Sequence, residues 1–410
     1  MIDESNRRAI SAISIKGFKS FLEEQRLEIR PLTLLSGVNS SGKSSALQPL
    51  LLLKQTLEAP FDPGPLLLDG PHVRFTSPSQ FFSRRVDQTD SDFSIYIEEG
   101  ARQSVRDVFR RSGDFGIELV STEFVGEFVN GVHSRTLTAE MVLENDKHAE
   151  VIRNRCFLDW NVGFTPLTNF YRGLILSLLH VPGLRGNPAR AYRTAAVGDH
   201  FPGPLENYVA SLILSWQFQD PRLEQLDNGL QALGLTSQIR PRPIDATQIE
   251  LLVSRLPIES DLVNIADVGF GVSQVLPILV ALLAAQPGQL VYLEEPELHL
   301  HPRAQQALAP ILADAANRGV RVIAETHSSI LLLAVQTLVA EGKISSDKVM
   351  LHWFQRDARG ATKVTSGEMD QLGAYGDWPE DFGEIEAAVE NRYLDAVESK
   401  VFSRKKRAKK

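Results

Sequence analysis

The chain has 410 residues, 43% of them apolar and 23% charged, with a formal net charge of −8. That length holds two or three packed units on a scale of roughly 150 residues each, and the composition is that of a globular protein. The acidic balance excludes polyanion binding by bulk charge, so any nucleic-acid contact must come from local patches.

Cys156 is the single cysteine, which excludes an internal disulfide and points to a reducing compartment. It has no neighbouring ligand set and reads as an ordinary thiol. The charged start, Met1 to Arg8, is not followed by a signal-peptide core. No run approaches the ~20 apolar residues of a membrane span. The expectation is a cytoplasmic protein without a membrane partner.

Residues 9–36 read as a strand pair, with Ile13-Ser14-Ile15 and Leu27-Glu28-Ile29 alternating about the charged turn Glu23-Glu24-Gln25-Arg26. Between the strands lies Gly17-Phe18-Lys19-Ser20-Phe21, whose Phe21 reads as core. The apolar run Leu32-Thr33-Leu34-Leu35 then enters Ser36-Gly37-Val38-Asn39-Ser40-Ser41-Gly42-Lys43-Ser44-Ser45, and a helical pattern leaves it from Ala46. This fits G-x-x-x-x-G-K-[ST], the phosphate-binding loop of nucleoside triphosphatases. Gly37 and Gly42 let the backbone wrap a phosphate, so that the N–H groups of Asn39, Ser40, Ser41 and Ser45 can serve the site. The following helix offers its N-terminus. Lys43 is expected on the β- and γ-phosphates and the Ser44 hydroxyl on Mg²⁺, which makes ATP and Mg²⁺ the expected ligands.

The strand, Gly17 to Phe21, the second strand and the run Pro31 to Ser44 together resemble the N-terminus of ABC-type ATPases of the RecF, SMC and OLD group. In that group the first hairpin borders the base and ribose. A Pro/Gly-rich break, Ala59 to Pro65, ends the helix. The resemblance makes Gln80 the candidate for a glutamine that contacts the metal; otherwise it is a loop residue. Phe93 to Glu98, Phe115 to Leu119 and Ser134 to Leu143 alternate like strands, and 90–160 reads as the antiparallel sheet flanking such cores.

Residues 165–250 read as helical, with Leu205 to Phe218 and Arg222 to Leu235 amphipathic. Before them, Val181 to Arg193 breaks the pattern. Its Arg185, Arg190 and Arg193 read either as an anion-binding surface or as a solvated loop. No sustained heptad series is present, so a short helical lid stands where SMC proteins carry a coiled-coil arm.

Ile265 to Gln274 puts Gly269, Gly271 and Ser273 at the start of an apolar helix, a second phosphate-facing helix N-terminus. It resembles the ABC signature segment, departing from its usual L-S-G-G-Q form; Ser273 is the candidate γ-phosphate ligand. Next, Leu290-Val291-Tyr292-Leu293 is a buried strand ending in Glu294-Glu295, the end at which open α/β sheets bind ligands. Glu294 occupies the Walker B position, expected to hold Mg²⁺, and Glu295 is the candidate base for the attacking water. The following Pro296 to Pro302 is similar to the group's D-loop; a His299/His301 metal site lacks a third ligand. His327, in Thr326-His327-Ser328 after another strand, matches the group's switch histidine.

Near the end, Gly376-Asp377-Trp378-Pro379-Glu380-Asp381-Phe382 is similar to a G-D-W-P-x-x-F tail in a bacterial subset of such ATPases, many beside antiviral defence genes. Residues 404–410 are mostly basic and read as a solvated tail that could touch phosphates.

The expected fold is α/β, an ABC-type P-loop ATPase core with a flanking antiparallel sheet and an inserted helical lid. Its units are 1–160 (loop and flanking sheet), 161–255 (lid), 256–345 (signature, Walker B and histidine), 346–403 (C-terminal strand and G-D-W-P region) and 404–410 (tail). The resemblance implies ATP hydrolysis by a head-to-tail homodimer with Lys43, Glu295 and His327 catalytic. Its partner is expected to be DNA or foreign nucleic acid, as in antiviral defence. The alternative is a nucleotide-gated scaffold for a nuclease or toxin, since no nuclease motif follows residue 340. A transporter subunit fits poorly, because transporters usually carry D-E-P where this chain has E-E-P.

Overall fold

The computed structural model describes residues 9–376, apart from 86–87, 90–91, 101–102, 129–130, 144–150, 161–167, 199, 218–219 and 256–260, together with Arg392. The tail motif from Asp377 onward and the basic residues 404–410 lie outside the described residues.

The chain begins with β1 (Ile10–Lys16) and β2 (Gln25–Glu28), an antiparallel pair that sets Ile13 opposite Leu27. Then β3 (Leu32–Gly37), buried along its length, ends in the glycine-rich loop, and α1 (Lys43–Glu58) leaves it. The helix tolerates the unbroken run Leu50 to Leu53 because it is buried over most of its circumference. It stops ahead of Ala59-Pro60, where a proline disfavours helical geometry in the preceding residue.

Four strands follow: β4 (Asp92–Glu99), β5 (Gln103–Ser112), β6 (Gly116–Phe128) and β7 (Gly131–Thr138). They join the first pair in an antiparallel sheet ordered β2-β1-β4-β5-β6-β7. The strand expected from Ser134 to Leu143 stops at Thr138, and Ala139–Leu143 turns helical, as Ala, Glu and Met favour.

The 161–255 stretch, expected as a helical lid, supplies α2 (Thr168–Ser177), α3 (Val209–Ser215) and α4 (Pro221–Ala232), and strands besides. Asp220 caps α4 by accepting from the Arg222 N–H, with Pro221 at the first helical position. From the same stretch β8 (Leu179–Val181) enters the central sheet, while β9 (Ile239–Pro243) and β10 (Gln248–Ser254) build a small separate one. The apolar run of β8 is too short to distinguish from a continuing helix by periodicity.

The remaining elements alternate: α5 (Phe270–Ala284), β11 (Leu290–Glu294), α6 (Pro302–Asn317), β12 (Arg321–Glu325), α7 (Ser329–Ala340), β13 (Val349–Arg356) and β14 (Thr362–Glu368). The central sheet runs β8-β11-β12-β3-β13-β14, parallel except for the antiparallel edge strand β14. Parallel strands are covered on both faces, hence their continuous apolar runs. In β11, Leu290 and Tyr292 face a core shared with α1 and the antiparallel sheet, whereas Val291 and Leu293 face a second core shared with α5, α6 and α7. No helix among the described residues is long and apolar enough to cross a membrane.

Candidate functional site

The C-terminal ends of parallel strands leave a crevice in open α/β sheets. Here that end holds a cavity of about 550 Å³ lined by Lys19, Asn39, Ser40, Ser41, Gly42, Lys43, Ser44, Ser45, Glu295, Glu325, His327 and Arg356. Gly37 (φ 141°) and Gly42 (φ 110°) take backbone conformations that side chains resist. A Cβ on Gly37 would also lie 2.1 Å from the Phe354 carbonyl oxygen.

Lys43 Nζ donates to the carbonyls of Gly37 (3.0 Å) and Val38 (2.9 Å). Burial pushes its pKa down, against the pull of Glu325 and Glu295. The Ser44 hydroxyl donates to Glu325 Oε1 at 2.8 Å, and the Tyr292 hydroxyl to Glu325 Oε2 at 2.9 Å. Burial raises the Glu325 carboxyl above its ordinary range, and those two hydrogen bonds only partly offset it.

Glu294 stands beside Glu325 in register, yet the structure turns it elsewhere. Its Oε1 lies 3.1 Å from His180 Nε2, and its Oε2 accepts the Gly183 N–H at 3.1 Å. Burial opposes its charge, but His180 and Gly183 hold its carboxyl below the ordinary range. A buried chain continues behind it. His180 Nδ1 is 3.3 Å from His72 Nδ1, His72 Nε2 is 3.0 Å from Glu58 Oε2, and Glu58 Oε1 is 2.6 Å from Lys54 Nζ.

Glu295 does reach the cavity, through a left-handed backbone at φ 43°. That conformation costs a non-glycine residue ~1 kcal/mol or more. Its N–H donates to the Glu325 carbonyl at 2.9 Å. His327 also lines the cavity; Glu297 Oε1 fixes its loop by accepting from the His327 N–H (2.8 Å) and the Thr326 hydroxyl (2.7 Å). Burial, followed by the charge of Lys43, lowers the His327 pKa and so favours a neutral imidazole.

The structure does not bring Gln80 to the cavity: it is exposed, and its amide is closed onto Thr76, accepting from the N–H at 2.8 Å and donating to the hydroxyl at 3.0 Å. Nor do Gly269, Gly271 and Ser273 line it. They sit at the start of α5, where the Ser273 hydroxyl donates to the Phe270 carbonyl at 2.9 Å. The arginine surface is not formed either. Arg185 is buried against backbone carbonyls, while Arg190, paired with Asp267 at 2.6 Å, and Arg193 are both exposed. Phe18 and Phe21 are both fully buried. His301 caps α6, and among the described residues no three His, Cys, Asp or Glu side chains group as a metal site.

Sequence reasoning missed Glu325, Arg356, Lys19 and His180. Glu325 directly precedes Thr326-His327, so an acid at a strand end beside a motif was the available signal. Lys19 lay within the motif already singled out; its Nζ donates to Gln48 Oε1 at 2.5 Å. Arg356 and His180 carry no local signal.

Comparisons with known proteins bear on this arrangement in parts. The family described as "AAA domain, putative AbiEii toxin, Type IV TA system" matches residues 168–334, which hold β8, β11 and β12 but not the glycine-rich loop. No curated protein matches the chain. Among solved structures, an SMC head bound to the C-winged helix domain of ScpA is similar with TM-score 0.52 at 11% identity, over 88% of this chain and 98% of that one. The SMC head domain from Thermotoga maritima gives 0.44 at 12% identity, over 88% and 100%. An SMC head with an extended coiled coil, bound to the C-terminal domain of ScpA derived from Pyrococcus furiosus, gives 0.47 at 10%, over 88% and 96%. At such low identity the first of these establishes the fold alone: the chain has the α/β architecture of an SMC head.

Proposed function

We propose that the chain binds Mg²⁺·ATP in this cavity and hydrolyses it. What supports an ATPase most is the convergence of Lys43, Ser44, Glu295 and His327, scattered along the chain, on the cavity that the glycine-rich loop borders. The donor set suits Mg²⁺. Ser44 and Glu325 offer oxygen, and this ion takes one or two carboxylates and leaves its other positions to phosphate and water. Bound there, Mg²⁺ would neutralise charge on the β- and γ-phosphates.

The chain's own residues do the rest. Loop N–H groups and Lys43 receive the phosphates, and Glu295 accepts the proton of a water attacking the γ-phosphorus. A neutral His327 donates one N–H to a γ-phosphate oxygen without adding charge. Gly269, Gly271 and Ser273 lie outside the cavity, and Phe270 among them is 58% exposed. On this reading they close on the γ-phosphate held by a second copy, making the active form a homodimer.

DNA engagement is the first reading of the partner. Burial of Arg185 takes one of the three expected arginines out of the anion surface, and Arg190, though exposed, is already paired with Asp267. That favours the second reading, a nucleotide-gated scaffold for a toxin or nuclease, in keeping with the toxin–antitoxin wording of the matching family.

Calorimetric titration of Mg²⁺·ATP tests the site. The unmodified protein is expected to bind, and Lys43→Ala to bind ~10²-fold more weakly or not at all, having lost the cation that faces two phosphates. Equal affinity in a folded Lys43→Ala protein sinks the assignment.

A further inference from the structure

Glu295 needs a mechanical explanation, because a non-glycine residue at φ 43° persists only where its surroundings hold it. The holder is Arg185, a residue 9% exposed. Its Nη2 donates to the Glu294 and Glu295 carbonyls, both at 2.8 Å. Those oxygens belong to the peptide units on either side of the Glu295 Cα, so one nitrogen pins both planes that define this residue's backbone. The Glu295 N–H, bonded to Glu325, fixes the first plane a second time.

The other arms of the same guanidinium reach different elements. Nε donates to the Pro182 carbonyl at 2.9 Å, and Nη1 donates to the Gln274 carbonyl at 2.9 Å in the second turn of α5. Gln274 replies through its Nε2, which donates to the Gly186 carbonyl at 3.3 Å. The loop after β8 and the start of α5 are thus tied in both directions, through the fork that also grips Glu295.

We propose that Arg185 is a positioning residue that sets the Glu295 carboxylate and couples it to the start of α5. The role assigned to Glu295 rests on the ATPase reading above. A displacement of α5 moves the Gln274 carbonyl, and with it the guanidinium plane and the two glutamate peptides. A contact made on the exposed Phe270 end of α5 is thereby felt at Glu295. Lysine cannot substitute, because one ammonium on a flexible stem does not span carbonyls from three elements as a planar fork does.

The test compares full-length wild type, Arg185→Lys and Arg185→Met. Both variants are expected to release phosphate from saturating Mg²⁺·ATP ~10²-fold more slowly, the scale of a catalytic group misplaced by about 1 Å, with KM within about threefold. Amide hydrogen exchange should rise together at Glu295, Glu297 and Leu298 and at Ser273 to Leu276. A folded Arg185→Lys protein with wild-type turnover overturns the proposal, as does exchange that rises in only one of the two segments. If Arg185→Met does not fold, Arg185→Lys carries the comparison. A wild-type protein that releases no phosphate overturns the ATPase reading instead, and the paired exchange measurement then decides the clamp by itself.

Discussion

Two carboxylates end neighbouring parallel strands, Glu294 and Glu325, and their surroundings push them in opposite directions. Both are buried. Glu294 keeps its charge because His180 and Gly183 serve it, whereas Glu325 has only the Ser44 and Tyr292 hydroxyls and is raised by desolvation. Glu325 is therefore the acid whose ionisation a cation beside Ser44 would favour most. Burial holds its folded pKa above the ordinary 4.5, so on the proposed Mg²⁺ site protons would compete with the metal at a pH where a free glutamate is still ionised. The Mg²⁺-dependent part of ATP affinity should fall as pH drops through that raised value, by up to about tenfold per pH unit below it. Glu325→Gln should lose both the Mg²⁺ dependence and this pH dependence. Calorimetry across pH, with and without Mg²⁺, reads both; a Glu325→Gln protein with unaltered Mg²⁺ dependence would return the metal to Glu294.

The β13–β14 hairpin braces the glycine-rich loop. Arg356 Nε donates to the Ser40 carbonyl and the Thr362 hydroxyl to the Ser41 carbonyl, both at 2.7 Å, while the Thr362 N–H donates to the Ser20 carbonyl at 2.7 Å. A loop that turns its N–H groups inward needs its outward carbonyls satisfied, and the hairpin does this. Arg356→Ala should weaken ATP binding by about tenfold, the scale of one charge-assisted hydrogen bond, with thermal unfolding nearly unchanged. An unaltered Kd would make Arg356 a bystander. Gly37→Ala should instead destabilise the fold by roughly 1–3 kcal/mol, through a left-handed backbone and overpacking against Phe354. A denaturant midpoint equal to wild type contradicts that. Gly37 was legible as a loop glycine, but the bracing of the loop was not. The strand Val349 to Phe354 is visible as an apolar run, but its pairing with β3, and hence the meeting of Arg356 with Ser40, exists only in the folded sheet.

At the scale of the whole molecule, the parallel strands were legible because burial on both faces makes them continuous apolar runs, with the glycine-rich loop, the paired glutamates and Thr326-His327 at their ends. The antiparallel sheet was legible through its alternation. In the 161–255 stretch α3 and α4 were legible as amphipathic segments, but β8 was not, since it is three residues long and draws its stability from β11 rather than from its own pattern. Gly269, Gly271 and Ser273 lie at the head of α5, outside the cavity's lining. In the proposed homodimer a second copy supplies them, and intact ATP holds the pair together. Glu295→Gln keeps the size and hydrogen-bonding capacity of the side chain but cannot take a proton from water, so turnover should fall ~10²-fold while ATP stays bound. Light scattering of Glu295→Gln with and without Mg²⁺·ATP is the direct test. The ATP-sandwich dimer predicts one 45.5 kDa chain without nucleotide and two with it; a mass that stays at one chain while calorimetry shows ATP bound would contradict it.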